Sequence, residues 1–152
     1  MSTQPTQPRP LFVYGTLRAL PLLAWALAGE PSQVDTISSM IRNATVKGYK
    51  RCSVRHADYP AAIKDDEATV DGYLLILETA SQRRKLDDFE GEAYKVTPVT
   101  VSLEGGKTVD ADMYVWDGDM DALSSEPWDL QVFIRDRLED WIDLFEGMEL
   151  VG

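Results

Sequence analysis

A glycine turn and one acidic residue are the parts of this sequence whose types and positions could do chemistry. Gly15 follows the short apolar run 11–14, and the turn continues through Thr16 and Leu17. A glycine after a buried strand lets the backbone approach a ligand closely, so the amides of residues 15–17 could bind a carboxylate. Thr16 could add a hydroxyl and Arg18 a positive charge. An ordinary turn at a strand end is the alternative.

The acidic residue is Glu90, which ends the run Leu86-Asp87-Asp88-Phe89-Glu90. A helix C-terminus and two neighbouring aspartates disfavour an ionised carboxylate there. If the side chain also faces an apolar pocket, its pKa would rise from about 4.3 toward neutrality, as a proton-shuttling carboxylate requires. The alternative is a solvated acid, because the chain has 26 acidic residues and most must lie on the surface.

Residue counts exclude several other kinds of site. Cys52 and His56 are the only cysteine and histidine, so a multi-His or multi-Cys metal site is excluded. A magnesium site of carboxylates alone stays open, but no loop has the spacing of a calcium loop. We expect no metal and no cofactor. A single cysteine forms no disulfide framework, which suits a reducing cytoplasm.

The charge balance argues against nucleic-acid and membrane partners. Fifteen Lys and Arg against 26 Asp and Glu give a formal net charge of -11, which repels phosphate backbones and anionic membranes. No stretch approaches the roughly 20 apolar residues of a spanning helix. The 44% hydrophobic and 27% charged content is that of a globular protein. We therefore expect a soluble, cytoplasmic protein whose partner is a small molecule.

The pattern of the chain predicts a short extension followed by one domain. Residues 1–10 hold Pro, Gln and Thr without an apolar segment, which predicts a flexible extension rather than a secretion signal. Residues 11–152 are long enough to bury one core. Apolar and alternating runs predict strands over 11–14, 44–49, 51–56, 70–77, 94–103 and 108–116, with a loop at 58–60 and a charged turn at 64–67.

Three helices are predicted from caps and apolar spacing. Pro21 suits the first turn of a helix over 21–28 that Gly29 ends. Thr79-Ala80-Ser81-Gln82 matches a capping box for a helix that Gly91 closes. Apolar residues at three- and four-residue spacing over 127–145 predict one amphipathic helix that packs on the sheet. Strands and helices in this irregular order favour an α+β fold, a curved antiparallel sheet or small β-barrel with flanking helices.

Strand 108–116 is expected to have a buried face and an exposed face. Its alternate residues Val109, Ala111, Met113 and Val115 would face the core, whereas Asp110, Asp112, Tyr114 and Trp116 would look outward. A hairpin turn at Glu104-Gly105-Gly106-Lys107 would join it to strand 94–103. The tryptophans at 25, 128 and 141 are expected to be packing residues, and Cys52 a small buried one.

Five sequence motifs in this order are typical of one protein family. They are Val13-Tyr14-Gly15-Thr16-Leu17, Tyr59-Pro60-Ala61, Val70-Asp71-Gly72-Tyr73, Leu86-Asp87-Asp88-Phe89-Glu90-Gly91 and Tyr94. Over about residues 11–116 the chain resembles the γ-glutamylcyclotransferase-like, or AIG2-like, family. The resemblance implies a β-barrel with flanking helices, a glutamyl-binding loop of Tyr14, Gly15, Thr16 and Leu17, and a catalytic acid/base at Glu90.

The reaction that this resemblance implies is an intramolecular cyclisation. The α-amine of a γ-glutamyl group attacks its own side-chain amide carbonyl, which releases an amine and 5-oxoproline. Because nucleophile and electrophile belong to one molecule, no cofactor, metal or protein nucleophile is needed. Glu90 would move the protons, and amides near Gly15 and Thr16 would hold the α-carboxylate or the developing oxyanion. Tyr59 and Tyr94 are expected to line the pocket or, alternatively, to belong to the core.

One departure from the family pattern leaves other functions open. Family members commonly carry an arginine two positions after Tyr94, where this chain has Val96. A catalytically silent small-molecule binder of the same fold is therefore one alternative to an enzyme. An interaction module that uses the acidic C-terminal helix is another. His56 could help to bind substrate, although a lone histidine near a loop is more often a surface residue.

Overall fold

A computed structural model of the chain describes residues 8–28, 34–55, 57–90, 94–124, 126 and 128–146, without the side chains of residues 28, 88–90 and 144–146. These residues form strands, short 3-10 turns and α-helices in an irregular order. In sequence order the strands and α-helices are β1 (Leu11–Val13), α1 (Leu20–Ala28), α2 (Val34–Ser38), β2 (Ile41–Val54), β3 (Pro60–Leu75), α3 (Ala80–Glu90), β4 (Tyr94–Leu103), β5 (Thr108–Trp116), β6 (Leu123–Ser124), α4 (Leu130–Asp136) and α5 (Leu138–Glu146).

Five strands close into a barrel, which confirms the predicted α+β fold. They follow the order β3-β1-β5-β4-β2, and β2 pairs with β3 to complete the ring, while β6 is attached to the end of β2. The pair β1–β5 is parallel and the other four pairs of the ring are antiparallel. A closed ring with an odd number of strands cannot alternate direction throughout. One parallel pair is therefore unavoidable.

The two longest strands differ from the prediction. β2 is one strand where two were predicted, because the backbone continues through a bulge at Gly48, whose φ is 91°. The predicted turn at 64–67 is wrong, since β3 runs through it. The register between β2 and β3 moves from the pair Lys47 and Thr69 to the pair Tyr49 and Lys64. Residues 65–68, three of which are acidic, therefore leave the ladder opposite Gly48, although the chain does not reverse.

The hairpin and the capping box follow the prediction. β4 and β5 have the predicted bounds, and the two glycines of their turn both have positive φ, 88° and 86°. Thr79 Oγ1 accepts a hydrogen bond from the backbone N–H of Gln82 at 3.2 Å. Gln82 Oε1 accepts from the backbone N–H groups of Glu78 at 2.7 Å and Thr79 at 3.2 Å. The expected stops Gly29 and Gly91 lie outside the described residues.

The C-terminal segment is two helices rather than the single one predicted. The helix breaks at Arg137, where φ is -128°. The segment therefore forms two successive helices, α4 and α5. Phe133 and Leu138 are buried in a cluster with Ala19 and Leu22. The pair therefore packs on α1 and the turn before it rather than on the sheet.

Hydrophobic side chains fill the barrel and also cover one side of it. The interior cluster includes Phe12, Val46, Leu74, Val101 and Met113. A second cluster lies between the barrel and the helices α1, α2 and α3. This covering overturns the expectation that Asp112 and Tyr114 look outward, because both are buried on the helix-covered face of β5. In the described part of the chain, no helix is both long and apolar enough to cross a membrane.

Candidate functional site

The predicted loop, residues 14–17, leaves the end of β1 and packs tightly against the start of β3. We call these residues the glycine loop. Its last two residues, Thr16 and Leu17, are buried and belong to a 3-10 turn, Thr16–Arg18. A Cβ at Gly15 would lie 2.8 Å from Cγ of Pro60. Only glycine lets the backbone at residue 15 approach the ring of Pro60 this closely without displacing it.

The side chain of Tyr14 belongs to the interior of the barrel. Its hydroxyl donates a hydrogen bond to the carbonyl of Tyr114 and accepts one from the backbone N–H of Ala62 at 3.1 Å. Its ring stacks on Phe12 with centroids 6.5 Å apart. A phenol has one proton to donate, and here it is donated to Tyr114. What Tyr14 contributes to the loop is its backbone.

A guanidinium group fixes that backbone from the outside. Arg51 Nη1 donates to the carbonyls of Tyr14 and Asp71, each at 3.0 Å, and Nη2 donates to Asp71 Oδ1 at 2.9 Å. Burial raises the pKa of Asp71, but the hydrogen bond and charge of Arg51 and the charge of Arg18 outweigh it and lower the pKa. The carboxylate therefore stays ionised and holds Arg51 against the loop.

The predicted binding residues meet around a small cleft. It is lined by the glycine loop, by Tyr59 and Pro60, which we call the rim, and by Tyr94 and Tyr114 among others. Its volume is about 20 Å³, room for roughly one water molecule. The Tyr94 hydroxyl donates to the carbonyl of Pro60 at 2.7 Å, and the rings of Tyr59 and Tyr94 meet edge to face at 6.5 Å. These contacts narrow the cleft between the rim and β4.

The end of α3 is tethered beside this cleft. Asp87 Oδ1 accepts a hydrogen bond from the hydroxyl of Tyr114 at 2.6 Å and another from Arg83 Nε at 3.0 Å. Glu90 is the last residue of α3, three residues after Asp87, and its side chain lies outside the described residues. The helix end that carries Glu90 is thus bonded to a residue of the cleft. The catalytic role of Glu90 stays a prediction.

Charged residues hold α3 on the barrel, and these residues were not predicted from the sequence. Arg83 Nη1 donates to Asp112 Oδ2 at 2.9 Å, and Arg9 Nε donates to Asp112 Oδ1 at 3.0 Å. Burial lowers the pKa of Arg83, but its bonds to Asp87 and Asp112 raise it by more. Arg83 and Asp87 are four residues apart on α3, a spacing that could have suggested an ion pair. No sequence signal points to Asp112 as their partner.

Other residues considered from the sequence contribute less to the site. Val96 lies opposite Tyr114 in the β4–β5 ladder and is 41% exposed. Cys52 is buried, as expected. His56 lies outside the described residues. Among the residues that the structure describes, no three His, Cys, Asp or Glu side chains converge so as to hold a metal ion.

A family model described as Gamma-glutamyl cyclotransferase, AIG2-like matches residues 11–130. The chain belongs to this family. AIG2-like protein C of Arabidopsis thaliana is 26% identical over 133 residues, which cover 87% of this chain and 73% of that protein. AIG2-like protein A of the same plant is 23% identical over 137 residues, covering 90% and 78%. The match ends at 130, so nearly all of α4 and α5 lie beyond it.

Solved structures share the fold of this AIG2-like chain. A solution structure from Arabidopsis thaliana superposes with a TM-score of 0.64 at 21% identity, over 95% of this chain and 93% of that one. A gamma-glutamyl cyclotransferase superposes with a TM-score of 0.60 at 15% identity, over 93% and 88%. At such low identities the likeness shows the fold alone. The resemblance deduced from the motifs is confirmed for family and fold.

Proposed function

We propose that this protein cyclises a small γ-glutamyl amide or γ-glutamyl amine, releasing 5-oxoproline, with Glu90 as general acid/base. One observation supports this most strongly. The glycine loop, Tyr59 and Tyr94 line one cleft, and the helix that ends at Glu90 is bonded to that cleft through Tyr114 and Asp87. The family to which the chain belongs is described as gamma-glutamyl cyclotransferase, AIG2-like.

The proposed reaction is an intramolecular acyl transfer. The α-ammonium of the substrate gives a proton to Glu90, and the freed amine attacks the γ-carbonyl carbon to form the five-membered ring. The bond from that carbon to the amide nitrogen then breaks as the departing nitrogen takes the proton back from Glu90. The ring nitrogen loses its second proton to the same carboxylate, which passes it to the released amine, so that the products are 5-oxoproline and an ammonium ion. The amides of Gly15 and Thr16 are the proposed donors to the α-carboxylate or to the oxyanion.

Binding requires the cleft to widen. A glutamyl group is much larger than the single water molecule for which the cleft has room. Widening must break or lengthen the hydrogen bond from Tyr94 to the carbonyl of Pro60, because this bond joins the rim to β4. Substrate binding would thus replace contacts between the two tyrosines with contacts to the ligand.

Release of 5-oxoproline tests the proposal directly. Mass spectrometry would follow its formation from γ-glutamyl amines, γ-glutamyl amino acids and glutathione. We expect Glu90→Gln to lower turnover of the accepted substrate by at least about 100-fold. Glu67→Gln makes the same chemical change on an exposed part of β3 and should leave turnover unchanged. Release that persists in Glu90→Gln would remove this residue from the mechanism.

A catalytically silent binder of the same fold is the second candidate. One observation favours it: the exposed Val96 where family members commonly carry arginine. Calorimetric titration with 5-oxoproline and with γ-glutamyl amines separates the two functions. Binding of an amine without any release of 5-oxoproline would favour the silent binder.

The proposed location is the cytoplasm. The single cysteine, Cys52, is buried and free, as in proteins that fold in a reducing compartment. Fractionation of cells that express the tagged full chain would test this. Recovery in a secreted or membrane fraction would contradict it.

A further inference from the structure

The C-terminal segment is bonded to one residue beside the cleft, Asp58. Asp58 Oδ2 accepts hydrogen bonds from Trp141 Nε1 of α5 at 2.8 Å and from Arg137 Nε at 2.9 Å. The backbone carbonyl of Asp58 accepts a third from Trp128 Nε1 at 2.7 Å. The donors come from before α4, from the break between the helices and from α5. Asp58 is therefore fixed from three points of the C-terminal segment.

The residue after Asp58 forms a wall of the cleft. The ring of Tyr59 meets the ring of Trp141 edge to face, with centroids 6.4 Å apart, and meets Tyr94 in the same way at 6.5 Å. Tyr94 in turn meets Trp116 at 5.5 Å. Tyr59 thus lies between α5 on one side and β4 on the other. A shift of α5 would move this wall.

The helices do not need Asp58 to stay packed on α1 and the turn before it. Phe133 and Leu138 are buried against Ala19 and Leu22, and partly buried apolar residues surround them. Burying each apolar side chain of this size contributes about 1.5–3 kcal/mol, at least as much as one partly exposed hydrogen bond. The three hydrogen bonds to Asp58 are therefore not needed to hold the helices. Their effect is on the loop that carries the rim.

We propose that Asp58 and Trp141 are positioning residues, through which the C-terminal helices fix the rim and so set the width of the cleft. Insofar as it concerns turnover, this inference rests on the proposed function. Trp141 lies beyond the part of the chain that the family model matches. The width of the cleft would accordingly be set by a segment outside that match, and with it the size of leaving amine that the site accepts.

Hydrogen exchange and kinetics together test this inference. We expect Asp58→Ala and Trp141→Phe, which keeps an aromatic ring but loses the N–H donor, to speed amide exchange over residues 57–63 by about fivefold or more. For the substrate that the wild type accepts, KM should change by about tenfold while kcat changes by less than about threefold. Asp58→Asn keeps an acceptor oxygen and should restore KM in part.

Arg135→Gln is the matched control. Arg135 pairs with Asp136 on α4, whereas Arg137 pairs with Asp58, so Arg137→Gln should act on the rim and Arg135→Gln should not. Unchanged exchange over 57–63 in folded Asp58→Ala and Trp141→Phe would overturn the inference, and so would an unchanged KM. If Asp58→Ala does not fold, Trp141→Phe and Arg137→Gln decide. If no substrate turns over, the proposed function fails while the exchange result still decides the position of the rim.

Discussion

The glycine loop and the rim face each other across the cleft but are held by different kinds of contact. The loop is fixed by buried neighbours, by the hydroxyl of Tyr14 inside the barrel and by Arg51 on its carbonyl. The rim is held by the hydrogen bond from Tyr94 to Pro60 and, on its other side, by the bonds of Asp58, whose side chain is 31% exposed. Hydrogen bonds in water-accessible positions break at lower cost than buried ones. The loop is therefore the rigid side of the cleft and the rim is the side that can move.

The largest effect is expected on the rigid side, at Gly72. A Cβ there would lie 2.3 Å from the carbonyl oxygen of Val13, which is backbone and cannot move aside. We expect Gly72→Ala to lower the free energy of unfolding by about 3 kcal/mol or to prevent folding. Gly105→Ala is the control, because its Cβ meets open space and only the positive φ is strained, at a cost of about 1 kcal/mol. Urea denaturation measures both, and equal losses would contradict the close packing of β1 on β3.

A smaller loss of stability is expected when the tyrosine hydroxyl inside the barrel is removed. Tyr14→Phe leaves the Tyr114 carbonyl and the Ala62 N–H without this partner in a buried place. The free energy of unfolding should fall by about 2 kcal/mol. Tyr49→Phe, at a partly exposed residue of β2 whose ring packs against the interior cluster, should change it by less than about 0.5 kcal/mol. Equal values for the two variants would mean that the loop side is no more rigid than the surface.

The coupling between the two sides can be measured through Gly15. In Gly15→Ala the new methyl group must displace the ring of Pro60, and we expect a loss of about 1 kcal/mol. When Asp58→Ala has freed the rim, Pro60 can yield, so the double variant should lose about 0.5 kcal/mol less than the sum of the single ones. Strict additivity in this double-mutant cycle would show that the rim yields equally well with Asp58 in place.

The smallest effect is a dependence on pH at Asp58, on the mobile side. Burial raises the pKa of Asp58, but hydrogen bonds from Trp141 and Arg137 and the charge of Arg137 lower it by more, below 3.8. A lowered folded-state pKa stabilises the protein above the unfolded-state pKa, and this stabilisation is lost as pH falls through the folded-state value. The stability difference between wild type and Asp58→Asn should thus be equal at pH 7 and pH 5 and shrink below about pH 4.

Because the carboxylates of Asp129 and Asp140 also lie on or beside these helices, the comparison must be between variants at each pH rather than between pH values. Asp140 also pairs with Arg137, at 3.0 Å. Asp140→Asn is therefore measured in parallel. A difference between wild type and Asp58→Asn that grows toward low pH would contradict the lowered pKa of Asp58.

Local patterns predicted the local features well. The capping box at Thr79 and the bounds of β4 and β5 depend on residues a few positions apart, and the structure agrees with them. The turn predicted at 64–67 failed because charged residues in a bulge have the composition of a turn. The prediction of a single C-terminal helix was wrong because apolar spacing continues across the break at Arg137, from Ile134 to Leu138. Periodicity reports which face is apolar but not where the helix axis bends.

The candidate site was predicted from ordered family motifs rather than from hydrophobic periodicity. Ordered motifs located the glycine loop, Tyr59 and Tyr94, which the structure brings around one cleft. The residues that hold this cleft in shape were missed, because a charged side chain in a strand or loop ordinarily belongs to the surface. Arg51 and Asp58 have partners that are 37 and 79 positions away in sequence, respectively. Only the complete tertiary fold makes such pairs neighbours.

The number of strands in the barrel has a consequence for where the site can lie. The unavoidable parallel pair is β1 with β5, so both strands run toward the same mouth of the barrel. The antiparallel neighbours β3 and β4 begin at that mouth, with Pro60 and Tyr94. With the parallel pair elsewhere in the ring, the turn after Val13 would open at the opposite mouth, away from Tyr114. The position of the parallel pair in the ring thus decides which strand ends meet at the mouth that holds the cleft.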